Sequence, residues 1–409
     1  MKRVVVLAPE PIRPRMAGMG IRALELARAL SSEFDVRLLA PNPVAEAREA
    51  AGGVAVESVG TDFAGIATAA ARVDAAVVSG HAANAWLGAA PRVPVAVDLY
   101  DPFPIENLHY AAALGEDMAR RDRETLARSL ARGDFFLCAS GEQRLFYAGA
   151  LYAAGRIGAS NFPEDAELAR LLAIVPFGVP AAPATGDRVR GRAAASVPAE
   201  GPLILFGGIY DWYDPDLLFD AWPLVRTAAP DARLLFFESP NPETTPQRVL
   251  ARARSRARQL DPASASIVFS PWLPYASRAD LYAAADLAIS IAAPGLETDL
   301  AYRTRLLDAA WGGVPSVTVG GGALARELEA AEASRSAPRE PEALAHAIGS
   351  VLAESPRFRE AARSFAAERS WARVVGPLAD WCRRAALDPG RRPMPVEESR
   401  SFLARLLPG

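Results

Sequence analysis

The chain has 409 residues, of which 51% are hydrophobic, so it can bury a large core and is long enough for two domains. Its formal net charge of -3 lacks the basic excess of a nucleic-acid-binding protein, which argues against nucleic acid as a partner. Two distant cysteines, Cys138 and Cys382, fit neither a disulfide framework nor a zinc site and indicate a reducing, cytoplasmic setting.

The cations are almost all arginines, because Lys2 is the single lysine. A phosphate-binding site in this chain would therefore use guanidinium groups, backbone N–H groups and helix N-termini. No apolar run reaches the roughly 18 residues of a membrane span, and the run at residues 4–8 is shorter than a secretory signal requires. We expect no transmembrane segment.

In the first half of the chain, buried apolar runs alternate with amphipathic helices. The predicted strands are 4–8, 36–41, 75–80, 93–100 and 135–140. This βαβ rhythm predicts a parallel sheet covered on both faces. We assign it to a first domain at 1–180, followed at 181–200 by a linker rich in proline, glycine and alanine.

A second series of strands and helices follows the linker. The predicted strands are 202–209, 233–239, 266–272, 287–293 and 315–322. The fold class is therefore α/β, with two tandem doubly wound, Rossmann-like domains facing a cleft, the second domain at 201–375. Residues 376–409 are expected to form a helical tail, either on the second domain or crossing back to the first.

Glycines occupy the first strand-to-helix turn of each predicted domain. Gly18 and Gly20 precede a helix beginning near Ile21, where backbone can approach an anion. A dinucleotide fingerprint would need its glycines directly after the strand, and here about ten residues intervene, which argues against an NAD site. Gly207 and Gly208 end the first strand of the second domain.

Two charged patterns have both a structural and a functional interpretation. Asp214 and Asp216 suggest either metal ligands or the start of a helix, and the proline between them favours helix capping. Arg248, Arg252 and Arg256 lie on one helical stripe that either touches anionic lipid or faces water. The lack of bulky apolar anchors favours water, so peripheral membrane contact is only an alternative.

Segment 294–315 is the most informative part of the sequence. It places an acidic turn and two arginines between a buried strand and a helix predicted to begin near Leu300. Carboxylates suit sugar hydroxyls, and guanidinium groups bind phosphate in a bidentate manner. A plain N-cap and a surface ion pair are the structural alternatives. The candidate donor-site residues here are Glu297, Thr298, Asp299, Arg303, Arg305 and Asp308.

Polar side chains also follow two strands of the first domain. Asp98, Asp101, Glu106 and His109 come at or just after one strand end, and His81 follows another. Each alone is more often a capping or satisfied polar group. As a group at the carboxyl edge of a parallel sheet, they are predicted to bind the hydroxyl or amine groups of an acceptor, together with Gly18 and Gly20.

These segments resemble the retaining nucleotide-sugar glycosyltransferases of family four, which have the two-domain GT-B fold, over most of the chain. The resemblance rests on Gly18-Met19-Gly20, GGIYDWYDPDLLFDAW, SPWLPYASRADLYAAADLAIS and RTRLLDAAWGGVPSV. It implies that Asp308 binds the ribose hydroxyls, that Trp272 and Leu273 border the base, and that Glu297 holds the transferred sugar. Gly207 and Gly208 would belong to the donor loop.

Two departures from the family pattern affect the catalytic candidates. The family spaces two glutamates eight positions apart, which places the first at Leu300 rather than Glu297. It also commonly carries a lysine after the donor loop, whose charge Arg303 and Arg305 would replace. We therefore assign Glu297, Arg303 and Arg305 as catalytic, with no metal and no cofactor besides the nucleotide sugar.

The sequence thus predicts a cytoplasmic hexosyltransferase, monomeric or homodimeric, acting on a small or lipid-linked acceptor. Two alternatives stay open. A catalytically silent GT-B activator or scaffold would explain the displaced Glu297 and the missing lysine. A nucleotide-sugar epimerase would share the architecture and would need acid and base groups near the donor sugar.

Overall fold

A computed structural model describes residues 1–242 and 244–392, so the end of the predicted tail lies outside the described residues. The first of its two parallel sheets has the strand order β3-β2-β1-β4-β5-β6-β7. Its strands are β1 Arg3–Leu7, β2 Asp35–Ala40, β3 Ala55–Ser58, β4 Ala75–Ser79, β5 Val95–Asp98, β6 Phe135–Cys138 and β7 Leu172–Ile174. Its helices are α1 Gly18–Leu30, α2 Val44–Ala51, α3 Ile66–Ala70, α4 Gly80–Ala89, α5 Phe103–Glu106, α6 Ala111–Arg132 and α7 Gly141–Ala153.

The second sheet has the strand order β10-β9-β8-β11-β12-β13. Its strands are β8 Leu203–Gly208, β9 Arg233–Phe237, β10 Ile267–Ser270, β11 Leu287–Ile291, β12 Ser316–Val319 and β13 Ser334–Ser336. The remaining helices are α8 Arg188–Ala194, α9 Pro215–Ala228, α10 Arg248–Leu260, α11 Arg278–Ala284, α12 Leu296–Leu300, α13 Thr304–Trp311, α14 Ala323–Ala330, α15 Pro341–Ala353, α16 Ser355–Ala367, α17 Trp371–Val374 and α18 Gly376–Arg384.

Strand β1 shows why the sequence folds this way. Successive side chains of a strand point to opposite faces, and all of Val4, Val5, Val6 and Leu7 are buried. Val4 and Val6 join one apolar core, and Val5 and Leu7 join another. Both faces of the sheet are therefore covered, which confirms the predicted α/β fold class with two doubly wound domains.

The segment between the sheets is held by the second domain. Helix α8 lies within the expected linker and packs on α11, where a Cβ at Gly191 would meet the Asp280 carbonyl oxygen at 2.0 Å. Arg190 also pairs with the Asp280 carboxylate at 2.5 Å. Residues 181–187 and 195–200, on either side of α8, are the parts of that range without a helix.

The last two described helices, α17 and α18, lie on the first domain. Val179 and Ser370 form a parallel bridge between the two crossing chain segments. In α18, the Trp381 ring stacks on Phe135 of β6 with centroids 5.7 Å apart. The chain therefore crosses between the domains twice.

The arginine stripe of α10 is occupied by ion pairs with carboxylates on or near α9. The pairs are Arg248–Asp211, Arg252–Asp216 and Arg256–Asp220. These carboxylates offset the positive charge of the stripe. Within the two described ranges, no helix is both long and apolar enough to cross a membrane.

The Asp214 side chain differs from its expected capping role. It lies at the N-cap position of α9 but makes no side-chain cap. Its carboxylate instead accepts a hydrogen bond from Arg339 at 2.6 Å. Asp216 likewise serves an ion pair, with Arg252 at 2.9 Å.

Candidate functional site

A cavity of about 330 Å³ lies between the domains, at the carboxyl ends of strands from both sheets. In each sheet the strand order reverses beside the first strand of the domain, β1 or β8. Open α/β sheets bind ligands at such switch points. The loops after β1, β5, β8 and β10 and the start of α13 all contribute to the cavity wall.

The predicted site residues separate into those that line this cavity and those that do not. The donor candidates that line it are Gly207, Gly208, Trp272, Leu273, Arg303, Arg305 and Asp308. The acceptor candidates that line it are Gly18, Asp101 and Glu106. The candidates that do not line it are Gly20, His81, Asp98, His109, Glu297, Thr298 and Asp299.

The glycine turn at the end of β8 allows two large side chains to approach the backbone. Gly207 has a φ of +86°, in the left-handed region that favours glycine. A Cβ there would lie 3.3 Å from Nη1 of Arg305, and one at Gly208 would lie 2.6 Å from the Trp272 ring. Arg305 donates through Nη1 to the carbonyl oxygens of Phe206, at 3.0 Å, and Gly208, at 2.8 Å.

Arg305 is thereby fixed at one edge and open at the other. Its guanidinium lies over the Tyr213 ring, 4.3 Å from the centroid. Among the described residues, its Nε and Nη2 have no hydrogen-bond partner. A fixed guanidinium with free donors on a cavity wall suits an anionic group of a ligand.

Arg303, in contrast, is paired with Glu297 through both terminal nitrogens of its guanidinium group. Its Nη1 and Nη2 donate to Oε1 and Oε2 at 2.8 and 2.6 Å, and both side chains are buried. The Thr298 hydroxyl donates to the Ala293 carbonyl oxygen at 2.6 Å, and Asp299 is exposed on α12. The acidic turn therefore supports the cavity from behind instead of facing it.

Asp308 is a carboxylate, 16% exposed, that faces the cavity without a hydrogen-bond donor among the described residues. The nearest cation is Arg278, whose Nε lies 3.8 Å from Oδ1. Burial raises the pKa of Asp308 to about 6, although Arg278 opposes the shift. A carboxylate with open acceptor positions is suited to ligand hydroxyl groups.

Two further carboxyl groups, Asp101 and Glu106, form part of the first-domain wall and are hydrogen-bonded to each other. Burial raises the pKa of Asp101 to about 6 and raises the pKa of Glu106 well above its usual range, because two adjacent buried charges are unfavourable. The pair therefore holds a proton more readily than free carboxylates do.

The other polar candidates of the first domain have partners within the domain. Asp98 accepts two hydrogen bonds from the buried Arg22, at 2.6 and 3.0 Å. His81 contacts Asp122 at 2.8 Å and the Thr125 hydroxyl at 3.2 Å. These partners correspond to the satisfied polar groups that the sequence left as an alternative.

His109 and Gly20 also make internal contacts. The His109 ring meets Trp212 edge-on, with centroids 6.3 Å apart, across the domain interface. The Gly20 N–H donates to Oε1 of Glu10 at 2.6 Å. Burial raises the pKa of Glu10. A Cβ at Gly18, in contrast, would meet nothing within 4 Å, so this glycine is open to the cavity.

Three hydrogen bonds join the β1–α1 loop to the loop after β10 and close one side of the cavity. Arg15 donates to the Trp272 carbonyl oxygen at 2.8 Å, and the Trp272 indole donates to the Met16 carbonyl oxygen at 3.1 Å. The Tyr275 N–H donates to the Pro14 carbonyl oxygen at 2.8 Å. We call these two loops, residues 14–16 and 272–275, the clasp.

Sequence reasoning missed several lining residues, of which Arg278 is the most polar. Its sequence signal is weak: a cation at the start of a short helix, three residues after Tyr275. The aromatic lining residues Tyr100, Tyr210 and Tyr282 were also missed, because an apolar ring beside or within a buried element looks the same in sequence whether it packs in the core or lines a cavity.

No protein-family model and no curated protein matches the sequence. Solved structures do match its fold. HepE from Anabaena in complex with UDP-glucose is similar with a TM-score of 0.66 at 16% identity, over 94% of this chain and 100% of HepE. Sucrose-phosphate synthase from Thermosynechococcus elongatus gives 0.64 at 13% identity, over 94% of this chain and 99% of the synthase.

WaaG, a glycosyltransferase involved in lipopolysaccharide biosynthesis, is similar with a TM-score of 0.60 at 15% identity, over 92% of this chain and 98% of WaaG. These likenesses, with the two facing parallel sheets, establish the two-domain GT-B fold. Identities this low carry the fold and not the activity.

Proposed function

We propose that this protein is a retaining glycosyltransferase, which transfers a sugar from a nucleoside-diphosphate sugar to a small or lipid-linked acceptor without a metal ion. The observation that carries the proposal is the pairing of Arg305, with free donors beside the glycine turn, and Asp308, with free acceptors, on one cavity wall. A nucleotide diphosphate offers one group for each: phosphate oxygens for the guanidinium and ribose hydroxyls for the carboxylate.

The uridine nucleotides are the first donors to test, because HepE was solved with UDP and with UDP-glucose. By the family resemblance, Trp272 and Leu273 would border the base. Both line the cavity beside the clasp. The nucleotide would then lie mainly against the second domain, with its diphosphate toward the glycine turn.

The acceptor would bind against the first-domain wall. Asp101, Glu106 and Gly18 line that wall, and the carboxyl pair can accept hydrogen bonds from acceptor hydroxyl or amine groups. His81, Asp98 and His109 are better explained by their internal partners, so we leave them out of the proposed acceptor site.

In the proposed reaction the bond between the sugar and the diphosphate breaks, and the acceptor oxygen bonds to the same face of the sugar. The departing phosphate oxygen takes the acceptor's proton. Arg305 would stabilise the charge that develops on the diphosphate, as fixed donors do in a water-poor site. Glu297 and Arg303 would act by holding α12 against the cavity wall. We place the reaction in the cytoplasm and propose a monomer or homodimer.

The test is to incubate the purified protein with a panel of nucleotide sugars and to measure thermal shift, slow donor hydrolysis and, with an acceptor, the anomeric configuration of the product by NMR. We expect one base to stabilise the protein and the Arg305→Ala variant to lose about tenfold or more in nucleotide affinity. Arg252→Ala, which removes an ion pair far along α10, is the matched control. If no nucleotide sugar binds, the proposal is wrong.

The carboxyl pair gives one reason to keep the epimerase as a second candidate. Asp101 and Glu106 are acid and base groups in the cavity, as an epimerase would need. Conversion of the donor sugar without any acceptor would favour the epimerase. Nucleotide binding without either reaction would favour a silent scaffold.

A further inference from the structure

Arg278 is fixed on the cavity wall by aromatic side chains. Its guanidinium lies 3.7 Å from the Tyr275 ring centroid and 4.8 Å from that of Trp311. Nη1 donates to the Tyr275 carbonyl oxygen at 3.2 Å. These contacts hold the plane of the guanidinium and fix the direction in which its remaining N–H groups point.

The Arg278 Nε is a buried donor without a hydrogen-bond partner in the described part of the chain. The Asp308 Oδ1 lies 3.8 Å away. This distance is too long for a hydrogen bond but within the range of an ion pair. Neither side chain is more than 16% exposed. An unused donor and an unused acceptor thus face each other on the wall of one cavity.

Two other arginine–carboxylate pairs with both side chains buried are joined directly by hydrogen bonds. Arg22 and Asp98 form two hydrogen bonds, and so do Arg303 and Glu297. A hydroxyl group can fill the gap at Asp308, because it donates one hydrogen bond and accepts another. It would donate to the carboxylate and accept from Nε.

We propose that Arg278 is a further donor-binding residue, whose Nε–H and the Asp308 carboxylate bind the same ribose hydroxyl and so select ribonucleotides over deoxyribonucleotides. The inference rests on the proposed nucleotide-sugar site. The other titratable groups facing Asp308 are Glu25 of α1, which hydrogen-bonds Tyr275, and Tyr282 of α11. Tyr282 is neutral in this environment because burial raises its pKa.

The experiment compares UDP with 2′-deoxy-UDP and 3′-deoxy-UDP by isothermal titration calorimetry at pH 8, or the matching GDP series if guanine binds better. We expect the wild-type protein to bind UDP about tenfold or more tightly than one deoxy analogue. Arg278→Met is expected to lose a similar factor for UDP and almost nothing for that analogue. In Arg278→Lys the charge stays but the planar donor is lost, so discrimination should fall as in Arg278→Met.

Several outcomes would overturn the inference. Equal binding of UDP and both deoxy analogues by the wild type, or Arg278→Lys with full discrimination, would show that no hydroxyl bridges the two groups. Arg278→Met losing equal factors for all ligands would show a general effect on the cavity. If the wild type binds neither UDP nor GDP, both the inference and the proposed function fail, whereas binding without discrimination removes the inference alone.

Thermal unfolding of each variant separates misfolding from lost binding. Arg190→Met is the matched control. It removes an exposed arginine of α8 that pairs with Asp280, a carboxylate on the same helix as Arg278. It should leave the discrimination between UDP and the deoxy analogues unchanged.

Discussion

The carboxylates near the cavity differ in whether an arginine of the protein forms hydrogen bonds with them. Asp98 and Glu297 each receive two hydrogen bonds from a buried arginine, and neither lines the cavity. Asp101 and Asp308 line the cavity and have no ion pair at hydrogen-bonding distance among the described residues. We expect the first pair to govern stability and the second to govern ligand binding.

Glu297→Ala should destabilise the protein strongly, because it leaves the Arg303 guanidinium buried without a counter-charge. Breaking a buried pair from one side costs about 3–5 kcal/mol. Urea unfolding followed by circular dichroism measures the loss. Glu332→Ala, which breaks an exposed pair with Arg357, is the control and should change stability by less than about 1 kcal/mol.

The same variant tests the alternative role of Glu297. If Glu297→Ala keeps wild-type stability but abolishes donor turnover, Glu297 contacts the sugar and the supporting role is wrong.

Asp101→Asn should change the pH dependence of stability. The folded-state pKa of Asp101 is raised from 3.8 to about 6 by burial, so its contribution is fully present below pH 3.8 and is lost as the pH rises through 6. As the pH rises from 3.8 to 6, the free energy of unfolding of the asparagine variant should therefore increase relative to that of the wild type, by an amount on the order of 2 kcal/mol. The difference should persist at higher pH. Urea midpoints at pH 4.5 and 7.5 measure this difference.

Asp280→Asn provides a control of opposite sign. The hydrogen bonds from Arg190 lower the pKa of Asp280, so its contribution is present above pH 3.8 and is lost on acidification. The Asp280→Asn variant should be less stable than the wild type at pH 7.5. A parallel response of the two variants would refute the assignment for Asp101.

Among the elements that line the cavity, the glycine turn of β8 has little room for an added methyl group. Gly208→Ala would place a Cβ 2.6 Å from the Trp272 ring, which is itself held in the clasp. We expect a loss of about 1–3 kcal/mol in stability, measured by urea unfolding, and weaker nucleotide binding by calorimetry.

The control for that substitution is Gly349→Ala in α15. Its Cβ would meet nothing within 4 Å, and removing a helix glycine should stabilise the protein by about 0.5–1 kcal/mol. Wild-type stability and nucleotide affinity in Gly208→Ala would show that the Trp272 contact is unimportant.

The central strands of both sheets were predictable because they are buried on both faces and read as continuous apolar runs. The edge strands β3, β7 and β13 were not predicted. They are three or four residues long and include side chains that are not fully buried, so their apolar signal is weak. Each of these strands depends on backbone hydrogen bonds to the adjacent strand of its sheet, which a local sequence pattern does not show.

The helix predicted to begin near Leu300 begins instead at Thr304, and the acidic turn predicted before it forms a short helix of its own. Helix α12 ends at Leu300, Ala301 is extended with a ψ of 138°, and α13 begins at Thr304. The break buries Arg303 against Glu297 and leaves Arg305 at the cavity. Sequence spacing could nominate both arginines, but only the tertiary path decides which one is neutralised.

The sequence nominated most of the donor wall, since Gly207, Gly208, Trp272, Leu273, Arg305 and Asp308 all line the cavity. The sequence did not distinguish the polar residues that line the first-domain wall from those that have partners inside the domain. Strand-end polar residues such as Asp98 look alike in sequence whether they meet a ligand or a buried arginine from another element. Arg22, the partner of Asp98, lies 76 positions away in the chain.

For the whole molecule, the return of the C-terminal helices couples the two domains. Trp381→Ala should remove a buried ring that stacks on Phe135 and cost about 3–5 kcal/mol. Hydrogen exchange should show faster exchange at amides of β6 than in the wild type, with little change at β8.

Leu387→Ala is the control for that variant. This side chain is 46% exposed, so its loss should change stability by no more than about 0.5 kcal/mol. Equal acceleration of exchange in both sheets of Trp381→Ala would mean that the domains unfold as one unit.

The clasp has a consequence for the timing of turnover. It joins main-chain and side-chain groups of both domains along the cavity, so opening of the cleft beside Trp272 would separate those hydrogen bonds. For the proposed reaction we therefore expect departure of the nucleotide, and not the bond-making step, to be the slowest event. The fluorescence of Trp272 would report opening of the cleft, because its indole N–H would then lose the Met16 carbonyl oxygen and donate to water instead.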